Sequence, residues 1–453
     1  LDGSRIFMNL TPFPSPVTQT ISMPSSKSYT NRALVIAALR RGSTILTNPL
    51  HSEDTEAMCS CLVKLGAALE IRPEQITVQS DLQNIPPIDY TLSACDSGTT
   101  MRFILALSCV VPGVQVISGN PRLSERPIRD LVDALRNLGA HIEYCDQEGQ
   151  LPIRVRSSSL FASPIVLKGD MSSQFCSAIL LIAPQIVGGL DMRVQGLISA
   201  PYVDMTLGCM RECGVEVIVE AQSEVEPLSS TLSVKSDHSL PRFSKDVRYR
   251  VLADQSYRSE KYAIEGDYSS GGYFFAIAAL TRSRITVQNL CPHSLQPDRK
   301  LLDTLAIMGN EVVYHEDGLS IHGRSIEPMD VNMEDFPDQV MTVAVLASFA
   351  EGRTRIFGIS SLRYKETDRL FALRQELYKM GITTEETHNS LTIYGGQPHG
   401  ARIATYNDHR IAMAFAVAGT KIEGMTIENP RIVNKTFPAF WEILDRLQRP
   451  SLA

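Results

Sequence analysis

Four basic side chains stand where an isolated helix disfavours them. Lys27 and Arg32 follow Pro24-Ser25-Ser26, Arg102 follows Asp96-Ser97-Gly98-Thr99, and Arg410 follows Asn407-Asp408-His409. Each polar cluster opens an apolar, Ala-rich run. Such clusters read as helix N-termini, whose open N–H groups and positive dipole end attract anions. A cation there costs on the order of 0.3–1 kcal/mol unless an anion sits beside it. Four such placements in one chain imply a bound polyanion. Three further clusters lie at Asp170-Met171-Ser172-Ser173-Gln174, Asp267-Tyr268-Ser269-Ser270-Gly271 and Asp335-Phe336-Pro337-Asp338. Taken singly, Asp170, Asp267 and Asp335 read as helix caps. Lys365 and Arg369 are like charges four residues apart, and Glu366 offsets part of their repulsion. Arg122 and Arg126 share a Pro-stiffened turn, and Lys435 lies in a loop before the last helical stretch.

The elements that would carry these residues repeat. Helical stretches ending in Gly66, Gly139, Gly214, Gly309 and Gly381 are each followed by alternating apolar residues. The glycine suits a helix C-terminus that needs positive φ before the chain turns into a strand. A second unit, an Ala-rich apolar helix followed by a strand, recurs at 32–50, 101–120, 175–196, 272–290, 340–359 and 410–430. Apolar residues all round those helices predict burial on every side. A sixth copy of the first unit is the closing helix, 440–447. Three units per domain is the natural partition. The longer step from Gly214 to Gly309 falls around 221–258, a polar, Ser-rich stretch read as a loop or hairpin insertion.

With 43 Lys+Arg against 50 Asp+Glu, the 453-residue chain carries a net charge of −7, which argues against a dedicated nucleic-acid binder. A basic pocket for a small anion remains compatible with it. No apolar run reaches the ~18 residues of a membrane span. Leu1-Asp2-Gly3-Ser4 lacks the blocks of a signal peptide, and the nine Cys form no C-x-x-C pair, so a cytoplasmic protein with reduced thiols is expected. The nine His are scattered without ligand spacing, and no G-x-G-x-x-G or P-loop pattern occurs, so neither metal nor nucleotide cofactor is expected.

Several motifs in the same order resemble those of the 5-enolpyruvylshikimate-3-phosphate synthase family. They are Ser26-Lys27-Ser28 with Arg32-Ala33, Gly98-Thr99 with Met101-Arg102, Pro121-Arg122 with Arg126-Pro127, and Ser172-Ser173-Gln174. Arg363 with Lys365-Glu366-Thr367-Asp368-Arg369, Asp408-His409-Arg410 with Met413, and Lys435-Thr436-Phe437-Pro438 complete the set. The resemblance runs from about Ile21 to the final helix. It implies an α/β fold of two similar domains, each of three βαβαββ units with buried helices sheathed by sheets (an inside-out α/β barrel). The helix N-termini would face an interdomain cleft. One domain would comprise residues 1–24 plus 266–453, and the other residues 25–265.

The activity so implied moves the enolpyruvyl group of phosphoenolpyruvate to the 5-hydroxyl of shikimate 3-phosphate, on the route to chorismate, in a monomer with these small molecules as its partners. By family position, Lys27, Ser28, Arg32, Ser172, Ser173, Gln174, Ser199, Tyr202, Asp338 and Lys365 would hold shikimate 3-phosphate. Lys27, Asp96, Gly98, Arg122, Gln174, Arg369, Arg410 and Lys435 would hold phosphoenolpyruvate. Glu366, aided by His409, would exchange the proton at the methylene carbon, with Asp338 and Lys27 nearest the attacking hydroxyl. Three of these also have a plainer reading: Asp338 as a helix cap, His409 as a cap neighbour, Glu366 as an ionised partner of an Arg.

Two departures from the family stand out. Asp96 replaces an Asn whose amide would donate to phosphate, whereas a carboxylate would repel it. It therefore caps its helix, pairs with an Arg, or lowers affinity for phosphoenolpyruvate. Ser361 likewise replaces an Asn and shortens a substrate contact. Rivals are the UDP-N-acetylglucosamine enolpyruvyltransferases, whose loop Cys is missing from 120–127, RNA 3′-terminal phosphate cyclase, and a silent ligand-binding homologue.

Overall fold

The computed structural model describes residues 7–87, 89–221 and 246–448. Six helices that no amphipathic pattern could place at a surface form its two centres. They are α1 (Lys27–Leu39), α2 (Gly98–Ser108), α3 (Ser173–Ile182), α4 (Tyr268–Thr281), α5 (Val340–Ala347) and α6 (His409–Gly419). Every residue of α5 and α6 is buried, and all of α4 except Ser269. A helix apolar on all sides must be surrounded by other elements. Accordingly, α1, α2 and α3 pack on one another, as do α4, α5 and α6.

Sheets wrap these triads. Among the described residues there are six, five of four strands and one of three. The same pattern recurs in the four-stranded ones. Tyr90–Ser93 runs parallel to Val114–Ser118, which is antiparallel to Ile153–Arg156, itself antiparallel to His141–Tyr144. Parallel neighbours need a crossover, and in three of these sheets a single inner helix supplies it. An outer helix then leads into the antiparallel hairpin, ending at the repeat glycine. All five of those glycines take positive φ, from 81° at Gly381 to 106° at Gly66, backbone that a side chain would strain.

Two clusters of buried apolar side chains result. One draws on residues from Tyr29 to Ile264, the other on Ile21, Met23 and residues from Tyr268 to Leu447. The chain passes between them twice, side by side. Ser25 and Gly266 form an antiparallel bridge, Ser26 N donates to Glu265 O at 2.8 Å, and Asp267 N donates to Pro24 O at 2.9 Å. Strands are exchanged at this junction. Thr18–Ser22 pairs with Arg284–Gln288, and Lys261–Ala263 pairs with Gly42–Thr47.

One expectation needs correction. Within the supposed insertion, residues 222–245 lie outside the described residues, but its flanks are strands. Ile218–Ala221 pairs antiparallel with Val247–Val251, which also pairs with Leu190–Gln195 and so is an interior strand of the third unit's sheet. Arg248 and Arg250 on it face Asp191 and Glu220 while Tyr249 and Val251 are buried, so the strand does alternate, over only five residues beside a polar, Ser-rich stretch. The closing helix spans Phe440–Gln448. Among the described residues, no helix is long and apolar enough to cross a membrane.

Candidate active site

All six inner helices bring their first residues, or the turn just before them, to two adjoining cavities between the halves. The larger encloses about 810 Å³ of atom-free space, open solvent included. Its lining includes Lys27, Ser28 and Arg32 of α1, Ser173 and Gln174 of α3, Ser269 and Ser270 of α4, and Arg410 of α6. Ser172, Ser199, Tyr202, Ser361 and Lys365 line it too. The inner one is lined by Asp54, Gly98, Arg126, Glu366, Arg369 and His409. Lys27, Thr99, Gln174, Asp338, Lys365 and Arg410 belong to both and form the shared wall. Two ligands held here would touch.

The inner cavity is cationic in an acidic protein. Lys27, Arg126, Lys365, Arg369 and Arg410 face three carboxylates, those of Asp54, Asp338 and Glu366. Lys27 Nζ meets Asp54 Oδ2 at 2.9 Å. Arg369, with 1% of its side chain exposed, is held by Asp408 through Nε at 2.7 Å, by Asp338 at 3.1 Å and by Glu366 at 2.9 Å. Arg410 Nη2 donates to Asp338 Oδ2 at 2.8 Å. Arg126 is less well served. Its nearest carboxylate, Glu366, is 3.6 Å away, and its buried Nε has no partner among the described residues. Neither ring nitrogen of buried His409 makes a hydrogen bond there either. Buried donors left open in this way are costly and point to a missing acceptor.

The protonation states follow from the surroundings. Burial alone would raise Asp338, but Arg410, Lys365 and Arg369 outweigh it and hold its carboxyl far below the usual range. Glu366 behaves alike: burial opposes its charge, while Lys435, Arg369 and Arg126 hold it ionised. His409 is driven to the neutral imidazole by burial and by Lys435, Arg410 and Lys27. Burial also lowers Lys365, against the pull of Asp338. The cavity thus offers two carboxylates and a neutral imidazole for proton transfer, ringed by fixed cations for an anion.

Most expected residues meet at this place, some by routes the sequence did not show. Arg32 is occupied with Thr206 Oγ1 at 2.8 Å and the carbonyls of Ser28 and Tyr202 at 3.0 and 2.9 Å. Ser199, at a φ of 52°, donates to the Glu334 carbonyl at 3.0 Å. Tyr202 OH donates to Asp298 Oδ2 at 3.0 Å and lies 3.5 Å from Asp338. Lys435 lines neither cavity but stands behind Glu366, 3.4 Å from Oε1. Asp267 and Asp408 cap α4 and α6. Asp170 does not cap α3, since Ser172 accepts from Gln174 N instead, and Asp335 pairs with Lys300. Asp338 caps nothing; it lies inside the turn Pro337–Gln339 that precedes α5.

Three expectations are corrected. Asp96 is exposed, lines neither cavity and accepts from Asn120 Nδ2 at 2.7 Å; Ser97 caps α2 in its place. Arg122 also lines neither cavity. It is 43% exposed, pairs with Glu125, and donates to the carbonyls of Glu366 and Lys365 at 3.2 and 3.3 Å. Arg126, on the far side of the short helix Pro121–Ser124, faces inward instead. Arg102 lines neither cavity: it donates to Gln174 Oε1 at 2.8 Å and to the carbonyls of Gly98 and Pro127. Asp54 was missed, although an acid in the first turn after Ser52 was a visible cue to a buried helix start.

Comparisons with known proteins agree with one another. A family model described as EPSP synthase (3-phosphoshikimate 1-carboxyvinyltransferase) matches residues 13–256 and 242–444. The 3-phosphoshikimate 1-carboxyvinyltransferase of Shewanella woodyi is 37% identical over 432 residues, covering 94% of this chain and 96% of its own. That of Syntrophobacter fumaroxidans is 35% identical, over 96% and 98%. A solved EPSP synthase from Acinetobacter baumannii shares the fold, with a TM-score of 0.76 at 22% identity over 97% of this chain and 98% of that one.

Proposed function

We infer the roles of the cavity residues from the premise that the chain belongs to the EPSP synthase family. It is a 3-phosphoshikimate 1-carboxyvinyltransferase of the shikimate pathway, transferring the enolpyruvyl group of phosphoenolpyruvate to the 5-hydroxyl of shikimate 3-phosphate with release of phosphate. The observation that supports the division of labour is the shared wall. Shikimate 3-phosphate takes the larger cavity, its phosphate on Ser172, Ser173, Gln174 and the α3 N-terminus, with Ser28, Arg32, Ser199, Tyr202 and Lys365 around the ring. Phosphoenolpyruvate takes the inner one, on Lys27, Arg126, Arg369, Arg410 and the Gly98 N–H, with Lys435 behind.

Chemistry then occurs at the wall. A proton from the Glu366 carboxyl adds to the methylene carbon, and the 5-hydroxyl oxygen bonds to C2 as Asp338 accepts its proton. The tetrahedral adduct returns a methyl proton to Glu366 while its bond to phosphate breaks, and the proton taken up by Asp338 leaves with the phosphate as hydrogen phosphate. Held by Lys435, Arg369 and Arg126 alone, Glu366 is too acidic to carry that first proton. Arrival of a phosphate and a carboxylate draws Lys435, Arg369 and Arg126 toward the ligand and raises the proton affinity of Glu366. Neutral His409, next to it, relays the proton. The lobes 25–265 and 1–24 plus 266–453 close over the substrates and exclude water. The working unit is one cytoplasmic chain.

Mixing the protein with both substrates tests the assignment: phosphate release with shikimate 3-phosphate and none with UDP-N-acetylglucosamine is expected. Turnover of the nucleotide sugar in its place would overturn it.

A further inference from the structure

Glu376 lines neither cavity, yet its side chain is fully buried. A buried carboxylate is costly unless hydrogen bonds satisfy it. Here Lys379 Nζ donates at 2.9 and 2.8 Å, Ala404 N at 3.1 Å and Tyr406 OH at 2.6 Å. Two of these donors belong to the segment that leads into α6. In that segment Tyr406 and Asn407 both hold positive φ, 53° and 54°, backbone that a bulky residue rarely adopts. The Tyr406 ring also stands edge-on to Phe371, with centroids 6.2 Å apart. Asp408 comes next. Its carboxylate takes Arg369 through both Nε and Nη2 and caps α6 through Arg410 N at 2.9 Å. Arg369, Phe371 and Glu376 all lie on one outer helix, Arg369–Lys379. That helix grips the segment at one end through Glu376 and at the other through Arg369.

We propose that Glu376 is a positioning residue: by pinning Ala404 and Tyr406 it holds Asp408 in register with Arg369, and so fixes two cations of the inner cavity. The proposal rests on the reading of Arg369 and Arg410 as phosphoenolpyruvate ligands. Asp408 can orient Arg369 and start α6 at once only if the strained pair before it stays put. Glu376 supplies that restraint from outside the cavity. Loosening it should therefore affect the anion at Arg369 and spare the substrate held mainly by the other lobe.

Three variants in the full chain test this, with both KM values, kcat and Tm measured for each. Tyr406→Phe deletes one hydrogen bond and keeps the ring contact, so it reports even if Glu376→Gln fails to fold. Expected for Tyr406→Phe, and for Glu376→Gln where it folds, is a rise in KM for phosphoenolpyruvate of about three- to tenfold. KM for shikimate 3-phosphate should stay within about twofold. A fall in Tm with both KM values unchanged, or an equal rise in both, would show a purely structural staple and overturn the proposal. Arg369→Lys separates the premise from the inference. If it leaves KM for phosphoenolpyruvate unchanged, the ligand assignment fails and the proposal with it. If it raises that KM while Tyr406→Phe does not, only the role of Glu376 fails.

Discussion

At the scale of single residues, the inner cavity turns on atoms that crowd one another. A Cβ at Gly98 would lie 2.6 Å from Arg126 Nη1 and 2.8 Å from Arg102 Nη1, closer than real contacts allow. Gly98→Ala must therefore push the Arg126 guanidinium away, and KM for phosphoenolpyruvate should rise by about tenfold or more, with that for shikimate 3-phosphate little changed. Asp96→Asn, in contrast, should shift KM for phosphoenolpyruvate by less than about twofold, because Asp96 faces Asn120 outside the cavity. Glu366 and Asp338 link the site to pH. Both titrate far below their ordinary values of 4.5 and 3.8 when folded. The stability they contribute is present above those values and is lost as pH falls toward the folded ones. Asp267, raised by burial to about 6, acts oppositely: its contribution is present below 3.8 and lost as pH rises through about 6. In urea titrations of the ligand-free protein, the loss of midpoint on acidification below about pH 4.5 should be shallower in Glu366→Gln than in the wild type. Residue types and spacing announced the cationic site, including Lys27, Arg369 and Arg410. They did not announce direction. Arg122 and Arg126 are indistinguishable in a Pro-bounded turn, and only the short helix Pro121–Ser124, which carries Arg122 and precedes Arg126, turns one outward and the other in. Arg102 looked like an anion ligand because its partners on distant segments, Gln174 and the Pro127 carbonyl, leave no trace in sequence.

Elements were the most legible level, because each inner helix carries its own evidence of burial. Ala-rich runs with no polar face can only be central, and the glycine that ends each outer helix sits where positive φ is needed. What hid was a short strand: Val247–Val251 alternates, burying Tyr249 and Val251 and pairing Arg248 and Arg250 with Asp191 and Glu220, but its five residues were submerged in the polar, Ser-rich stretch beside them. The inner triads are also where stability is concentrated. Phe274 of α4 is fully buried, with ring centroids 6.0 Å from Phe437 and 5.8 Å from Phe440. Phe274→Ala should cost about 3–5 kcal/mol in denaturant unfolding, through lost transfer energy and the cavity left behind. The caps contribute less individually. Ser26 accepts from Tyr29 N at 3.5 Å, a long bond, so Ser26→Ala should cost at most about 1 kcal/mol.

Across the whole molecule, the two halves touch through their functional residues. Arg122 reaches the Lys365 and Glu366 carbonyls, Tyr202 reaches Asp298, and Ser199 reaches Glu334. Because Arg122 ties lobe to lobe without lining a cavity, Arg122→Ala should raise KM for both substrates together by about two- to fivefold. Arg126→Ala should instead raise KM for phosphoenolpyruvate selectively; steady-state kinetics of the pair checks this. The strand exchange at the junction has a consequence for how the protein is made. As the polypeptide leaves the ribosome, Thr18–Ser22 emerges early but finds its partner, Arg284–Gln288, only after the entire first lobe has appeared. The first lobe, for its part, gains its Lys261–Ala263 edge just before the chain crosses back. Birth order therefore favours completion of the lobe that begins second, while the leading segment waits unattached for the later one.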